Sequence, residues 1–127
     1  MTSRHEIERV LRELYAARAS GDLDGACRTF TDDARFEIAG ASQSNPISIS
    51  AAGIGQIRTW LALLIRTFQL TEHTILSIII EDASAAVHWR AKIRSRITGA
   101  TIPTDLVDLV QIRDGRIGSY TEFFVPR

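Results

Sequence analysis

Apolar positions recur at spacings of three and four through much of the first half of the chain, then alternate with polar ones through the second half. Ile7, Val10, Leu11 and Leu14 make one stripe with Arg9, Arg12 and Glu13 opposite, the pattern of an amphipathic helix. Ser3 and Glu6 have the form of a capping box and set its start. Ser20-Gly21-Asp22 interrupts the pattern, with Gly21 suited to a helix stop and Asp22 to the cap of a shorter second helix carrying Leu23, Ala26, Cys27 and Phe30. Thr31-Asp32-Asp33 has turn composition, and Arg35-Phe36-Glu37-Ile38 alternates as a short strand with Phe36 and Ile38 inward. From Ala39 to Ala52 small residues and Pro46 predict an irregular loop suited to a lid or cavity rim. Ile54, Ile57, Leu61, Leu64, Ile65 and Phe68 predict a third helix, with Trp60 beside its stripe.

Beyond Phe68 the period is two, and the pattern predicts strands to the end of the chain. Thr71 to Glu81 is one strand, Asp82-Ala83-Ser84 a turn, and Ala85 to Thr98 a second strand with Val87, Trp89, Ala91 and Ile93 on its core face. His88, Arg90, Lys92 and Arg94 fall on the other face. Gly99 and Pro103 mark the next connection. The run from Asp105 to Pro126 is centred on Asp114-Gly115, a dipeptide that accepts the positive φ of a tight hairpin turn. Helices followed by adjacent strands predict one α+β domain over residues 1–127, with three N-terminal helices packed on a curved, mostly antiparallel sheet.

Composition narrows the function classes. A chain of 127 residues can bury a core without staples, and fifteen basic residues against fifteen acidic ones leave no basic footprint for nucleic acid or an anionic membrane. Cys27 is the single cysteine, which excludes an internal disulfide and a cysteine-rich metal site. The N-terminal residues lack an apolar signal core and no apolar run approaches the ~20 residues of a membrane span. A cytoplasmic protein without metal or cofactor is therefore the expectation.

The candidate chemistry lies in the C-terminal hairpin. Asp108 shares a strand face with Leu106, Val110 and Ile112, and Glu122 shares one with Tyr120 and Phe124. If those faces look inward, two acids meet in an apolar cavity, where one can keep its proton and act as acid while the other acts as base. The alternative is that they bond Tyr15, Tyr120, Arg18 or backbone amides and hold the fold together, or face solvent. Tyr15 borders the first helix's stripe and could bring its hydroxyl to the same place. Phe36, Ile38, Trp60, Trp89, Tyr120 and Phe124 are the candidate ligand-lining residues. On the outer sheet face, Val107, Leu109, Phe123 and Val125 make an apolar patch, and a homodimer through it is expected, rimmed by His88, Arg90, Lys92 and Arg94.

The order of these features resembles a known family. Ala16-Ala17, Gly21-Asp22-Leu23-Asp24-Gly25, Phe30-Thr31-Asp32-Asp33-Ala34, Asp108 with Asp114-Gly115-Arg116-Ile117, and Glu122-Phe123-Phe124-Val125-Pro126 look like the nuclear transport factor 2 superfamily. That superfamily includes ketosteroid isomerase, scytalone dehydratase, limonene epoxide hydrolase and the SnoaL-type cyclases. The resemblance implies a cystatin-like cone with an internal pocket. It implies cofactor-independent isomerase, lyase or cyclase chemistry on an apolar carbonyl or polycyclic compound, or else a non-catalytic ligand-binding or accessory module. Asp108 falls at the position of the protonated acid of ketosteroid isomerase, but Leu14 and Ile38 stand where that family has its tyrosine and its base, so the known isomerase mechanism is not expected. His73 resembles the early-strand histidine of the dehydratases and joins Asp108, Glu122 and Tyr15 as a catalytic candidate. The familiar ending has an acid just before the proline, where this chain has Val125.

Overall fold

The computed structural model describes residues 2–40 and 48–127. Helix α1 spans Arg4–Ser20; Ser3 caps it by accepting the Glu6 amide at 3.1 Å, and Gly21 ends it at φ 79°. Helix α2 spans Leu23–Arg28 with Asp22 as its cap. Strands β1 (Phe30–Gly40) and β2 (Ser48–Ala52) precede helix α3 (Ile54–Thr67), and β3 (Phe68–Glu81), β4 (Ser84–Ser95), β5 (Thr101–Arg113) and β6 (Arg116–Pro126) follow. The third helix thus follows β1, where the sequence placed the short strand Arg35–Ile38, and also β2.

The strands form one open six-stranded sheet in the order β2-β1-β6-β5-β4-β3. All neighbours are antiparallel except β1 and β6, which run parallel and so bring the end of the chain beside its first strand. Val87, Trp89 and Ala91 on β4, Leu106, Val110 and Ile112 on β5 and Tyr120 on β6 are buried in one core with Ile7, Leu11, Leu14 and Tyr15 of α1. The face assignments from period-two alternation therefore hold across β4, β5 and β6. At the hairpin turn Asp114 and Gly115 both take positive φ, 54° and 77°. Two positive-φ residues between paired strands follow the strands' right-handed twist.

Three predicted segments differ. Thr31-Asp32-Asp33 is not a turn but part of β1, held over an irregular register in which Phe30 pairs with Ile117 and Arg35 with Ser119. Arg113 bonds both Thr31 and Asp33 there, so a cross-strand ion pair holds a turn-forming sequence extended. Ser48–Ala52 of the predicted loop is a strand, with Ile49 and Ala51 buried and paired to β1; the lid expectation otherwise falls on residues 41–47, outside the described residues. Pro103 lies inside β5, not in a connection.

Candidate functional site

A partly open cavity of about 250 Å³ lies between the sheet and α3. Leu61, Leu64 and Ile65 of α3 wall one side, and Ile38, Leu106 and Phe124 of the sheet wall the other. Among the residues lining it, the charged ones are Arg18 and Glu122. Arg18 comes from the last turn of α1, in register with Leu11, Leu14 and Tyr15 on the buried face, and Glu122 from the inner face of β6. Their side chains are 9% and 3% exposed, and they meet in a two-pronged pair. Arg18 Nη1 donates to Glu122 Oε2 at 2.8 Å and Nη2 to Oε1 at 3.2 Å. The guanidinium also lies over the Trp89 ring, 5.6 Å from its centroid.

Behind this pair sits a second layer. Asp108, fully buried on β5, has its Oδ2 as the acceptor of the Tyr15 hydroxyl at 2.7 Å and of Trp89 Nε1 at 2.8 Å. The Tyr120 oxygen is 2.5 Å from Asp108 Oδ2 and 2.7 Å from Glu122 Oε2, and it accepts Arg18 Nη1 at 3.1 Å. A hydroxyl has one proton to donate, so it cannot serve two ionised carboxylates at once. One carboxyl must bring the proton for its own contact. Asp108 is that group: burial and the neighbouring Glu122 charge push its pKa well up. Burial also works against the charge on Glu122, but Arg18 outweighs it and keeps its pKa below the usual value. The contacts then order themselves as Asp108 O–H to Tyr120 O, and Tyr120 O–H to the Glu122 carboxylate. Burial and the nearby acids raise both tyrosine pKa values, so these phenols stay neutral. Asp108 Oδ1 is buried without a partner, which a neutral carbonyl tolerates far better than a charged oxygen.

The sequence-predicted residues divide among these layers. Tyr15, Asp108, Tyr120 and Glu122 are brought together, yet of the four only Glu122 lines the cavity. Ile38 and Phe124 also line it. Phe36, Trp89 and Tyr120, expected to line it, are instead packed beyond its wall, with Phe36 and Tyr120 stacked at 5.4 Å and the Tyr15 and Trp89 rings tilted against each other at 4.7 Å. Trp60 is half-buried on α3, away from the wall. His73 is exposed in an irregular stretch of β3 between Thr71 and Thr74, and the structure does not join it to the acids. Arg18 is the cavity residue not chosen as a candidate in its own right. Its signal was its place, a cation continuing the apolar stripe of α1 past Leu11, Leu14 and Tyr15.

Known structures share this arrangement of chain. An isomerase candidate from Bacillus subtilis superposes with a TM-score of 0.85 at 19% identity over 98% of this chain and 90% of that one. An LEH-like epoxide hydrolase from M. tuberculosis gives 0.76 at 18% identity over 95% and 84%. An NTF2-like protein from Burkholderia xenovorans gives 0.75 at 18% identity over 98% and 93%. At such identities the likeness establishes the fold, an NTF2-like cone, and not the reaction. No curated protein matches the sequence significantly. The sequence pattern of the SnoaL-like domain, however, runs through residues 11–120, from α1 to Tyr120 of β6, and the chain belongs to that family.

Proposed function

We propose that the cavity binds a small, mainly apolar carbonyl compound and that the protein moves a proton on it by acid-base chemistry of the isomerase or lyase type. The observation that carries this reading is a carboxylate, paired to a guanidinium, in the wall of an otherwise largely apolar cavity. Glu122 would take a proton from the carbon next to the carbonyl, leaving an enolate, and return it to the same or a conjugated carbon. A carboxylate of ordinary or modestly shifted pKa is an adequate base for such a step where the developing oxygen charge is stabilised. Asp108 and Tyr120 would hold Glu122 in place from behind, as positioning groups. A volume of about 250 Å³ corresponds to about 8 waters of liquid and suits a ligand of on the order of 10 non-hydrogen atoms, favouring one or two rings over a larger polycycle.

The test is hydrogen–deuterium exchange at the α-carbon of menthone in D2O, followed by NMR. The wild type is expected to accelerate it and Glu122→Gln to abolish it. Because Glu122→Gln leaves Arg18 buried without its partner, the double variant R18M/E122L, which removes the pair together, serves as a folded control and is also expected to be inactive.

A second reading, a ligand-binding module without turnover, is favoured by one feature: Glu122 Oε2 already accepts Arg18 and is in contact with Tyr120, which restrains the carboxylate. Saturable menthone binding with no exchange above background would select it.

A further inference from the structure

The donors of Arg18 are unevenly used. Nη1 is committed to Glu122 Oε2 and Tyr120, and Nη2 uses one hydrogen on Glu122 Oε1. A guanidinium carries five N–H donors in a rigid fork. Three are used, and the remaining two, on Nε and Nη2, lie together on one edge of the group. No hydrogen bond from Nε is formed among the described residues, and Nε is not sealed: Asp108 Oδ1 is the one buried, unpartnered side-chain polar atom among them. On the carboxylate, Oε1 accepts only the 3.2 Å bond from Nη2 and keeps acceptor capacity. A two-hydrogen donor edge and an adjacent acceptor oxygen are thus left over in residues that line the cavity.

Charge decides what can use them. Arg18 and Glu122 cancel, Asp108 behind them is neutral by its proton count, and the rest of the wall, among the described residues, carries no charged side chain. A carboxylate on the Arg18 edge would leave the buried cluster with an extra negative charge, and an ammonium would leave it with an extra positive one. Either must be desolvated without a counter-charge. A carbonyl oxygen takes both N–H groups at no such cost.

We infer that the cavity selects an uncharged carbonyl compound, whose oxygen docks on the Nε–Nη2 edge of Arg18 with its α-carbon toward Glu122 Oε1. This deepens the proposed function and rests on it for the site, though not for turnover. The edge is then both the specificity element and the group facing the enolate oxygen.

Titration calorimetry with menthone, menthylamine and menthane carboxylate at pH 7 tests it, together with the NMR resonance of the Arg18 Nε–H. Menthone is expected to bind at least about tenfold tighter than either charged analogue and to shift that resonance. Arg18→Lys keeps a cation beside Glu122 but lacks the edge, and should weaken menthone binding by about tenfold or more while leaving the circular dichroism spectrum unchanged. Equal or tighter binding of the carboxylate, an unmoved Nε–H resonance, undiminished menthone binding by Arg18→Lys, or no binding of menthone at all would each overturn the inference. Charge-selective binding without α-carbon exchange upholds the docking and removes the catalytic reading. Exchange without charge selection does the reverse.

Discussion

Asp108 is a carboxyl group that folding drives toward its neutral form, and Glu122 is one that folding keeps charged. Their contributions to stability have opposite pH dependence. The Glu122 contribution is present above its unfolded pKa of about 4.3 and fades as pH falls through the lower folded value. The raised Asp108 value means that unfolding releases a proton above about pH 3.9, so stability falls as pH rises from there toward the folded value. Asp108→Asn keeps the shape and cannot ionise. The stability difference in favour of Asp108→Asn should therefore grow as pH rises above about 4, by up to ~1.4 kcal/mol per pH unit, until the folded value is passed, as read from urea unfolding at a series of pH values. A difference that does not change with pH would mean that Asp108 is ionised in the folded protein. Alternation grouped Asp108 with Leu106 and Val110 and Glu122 with Tyr120 but left open whether those faces look inward or to solvent; the structure buries both. Alternation could not give Arg18 its role, since that depends on which strand the last turn of α1 crosses.

At the scale of elements, the C-terminal hairpin was the most legible part of the chain. Its turn chemistry and its alternation agree, and the structure has Asp108 opposite Glu122 in the β5–β6 register. The predicted consequence is local. Gly115 sits at φ 77° with open space where a methyl group would project, so Gly115→Ala would meet no clash and cost only the left-handed backbone penalty of about 1 kcal/mol. Thermal unfolding should register that loss, whereas Gly55→Ala, in helix α3 with equal space and no positive φ, should not destabilise. Less legible were β1 and β2. Thr31-Asp32-Asp33 carries a local turn preference that the β6 pairs flanking it at Phe30 and Arg35 and the Arg113 contacts override, and Ser48–Ala52 is too short and too rich in small residues for its alternation to stand out. The lining of the cavity shows the same limit. Phe36 and Ile38 lie on one face of β1, yet Ile38 walls the cavity while Phe36 packs beyond it against Tyr120. Period two gives the face; depth along the cone comes from register and curvature, which are tertiary.

On the whole molecule, the outer sheet face carries an apolar surface of its own. Val107 and Leu109 on β5 and Phe123 and Val125 on β6 are 39%, 48%, 42% and 54% exposed, and Val107 pairs directly with Phe123. They form a contiguous outer patch of the kind that isolated soluble domains seldom leave in water. At its border Asp105 accepts Arg90 at 2.7 Å and lies within 3.1 Å of His88 and 3.3 Å of Arg127, so the edge of the patch is polar and its centre is not. An apolar centre with a charged rim is the anatomy of a protein interface. We propose that a second copy of the chain covers it, because twofold pairing places like patches face to face and is the commonest closed assembly. Sedimentation equilibrium should then give twice the chain mass for the wild type and the single-chain mass for the Leu109→Glu, Phe123→Glu double variant, which replaces outward-facing residues and leaves the cavity wall untouched. Retained menthone binding in that variant would show that the cavity works without the pairing, whereas a wild type that sediments as a single chain would leave the outer face to a different partner.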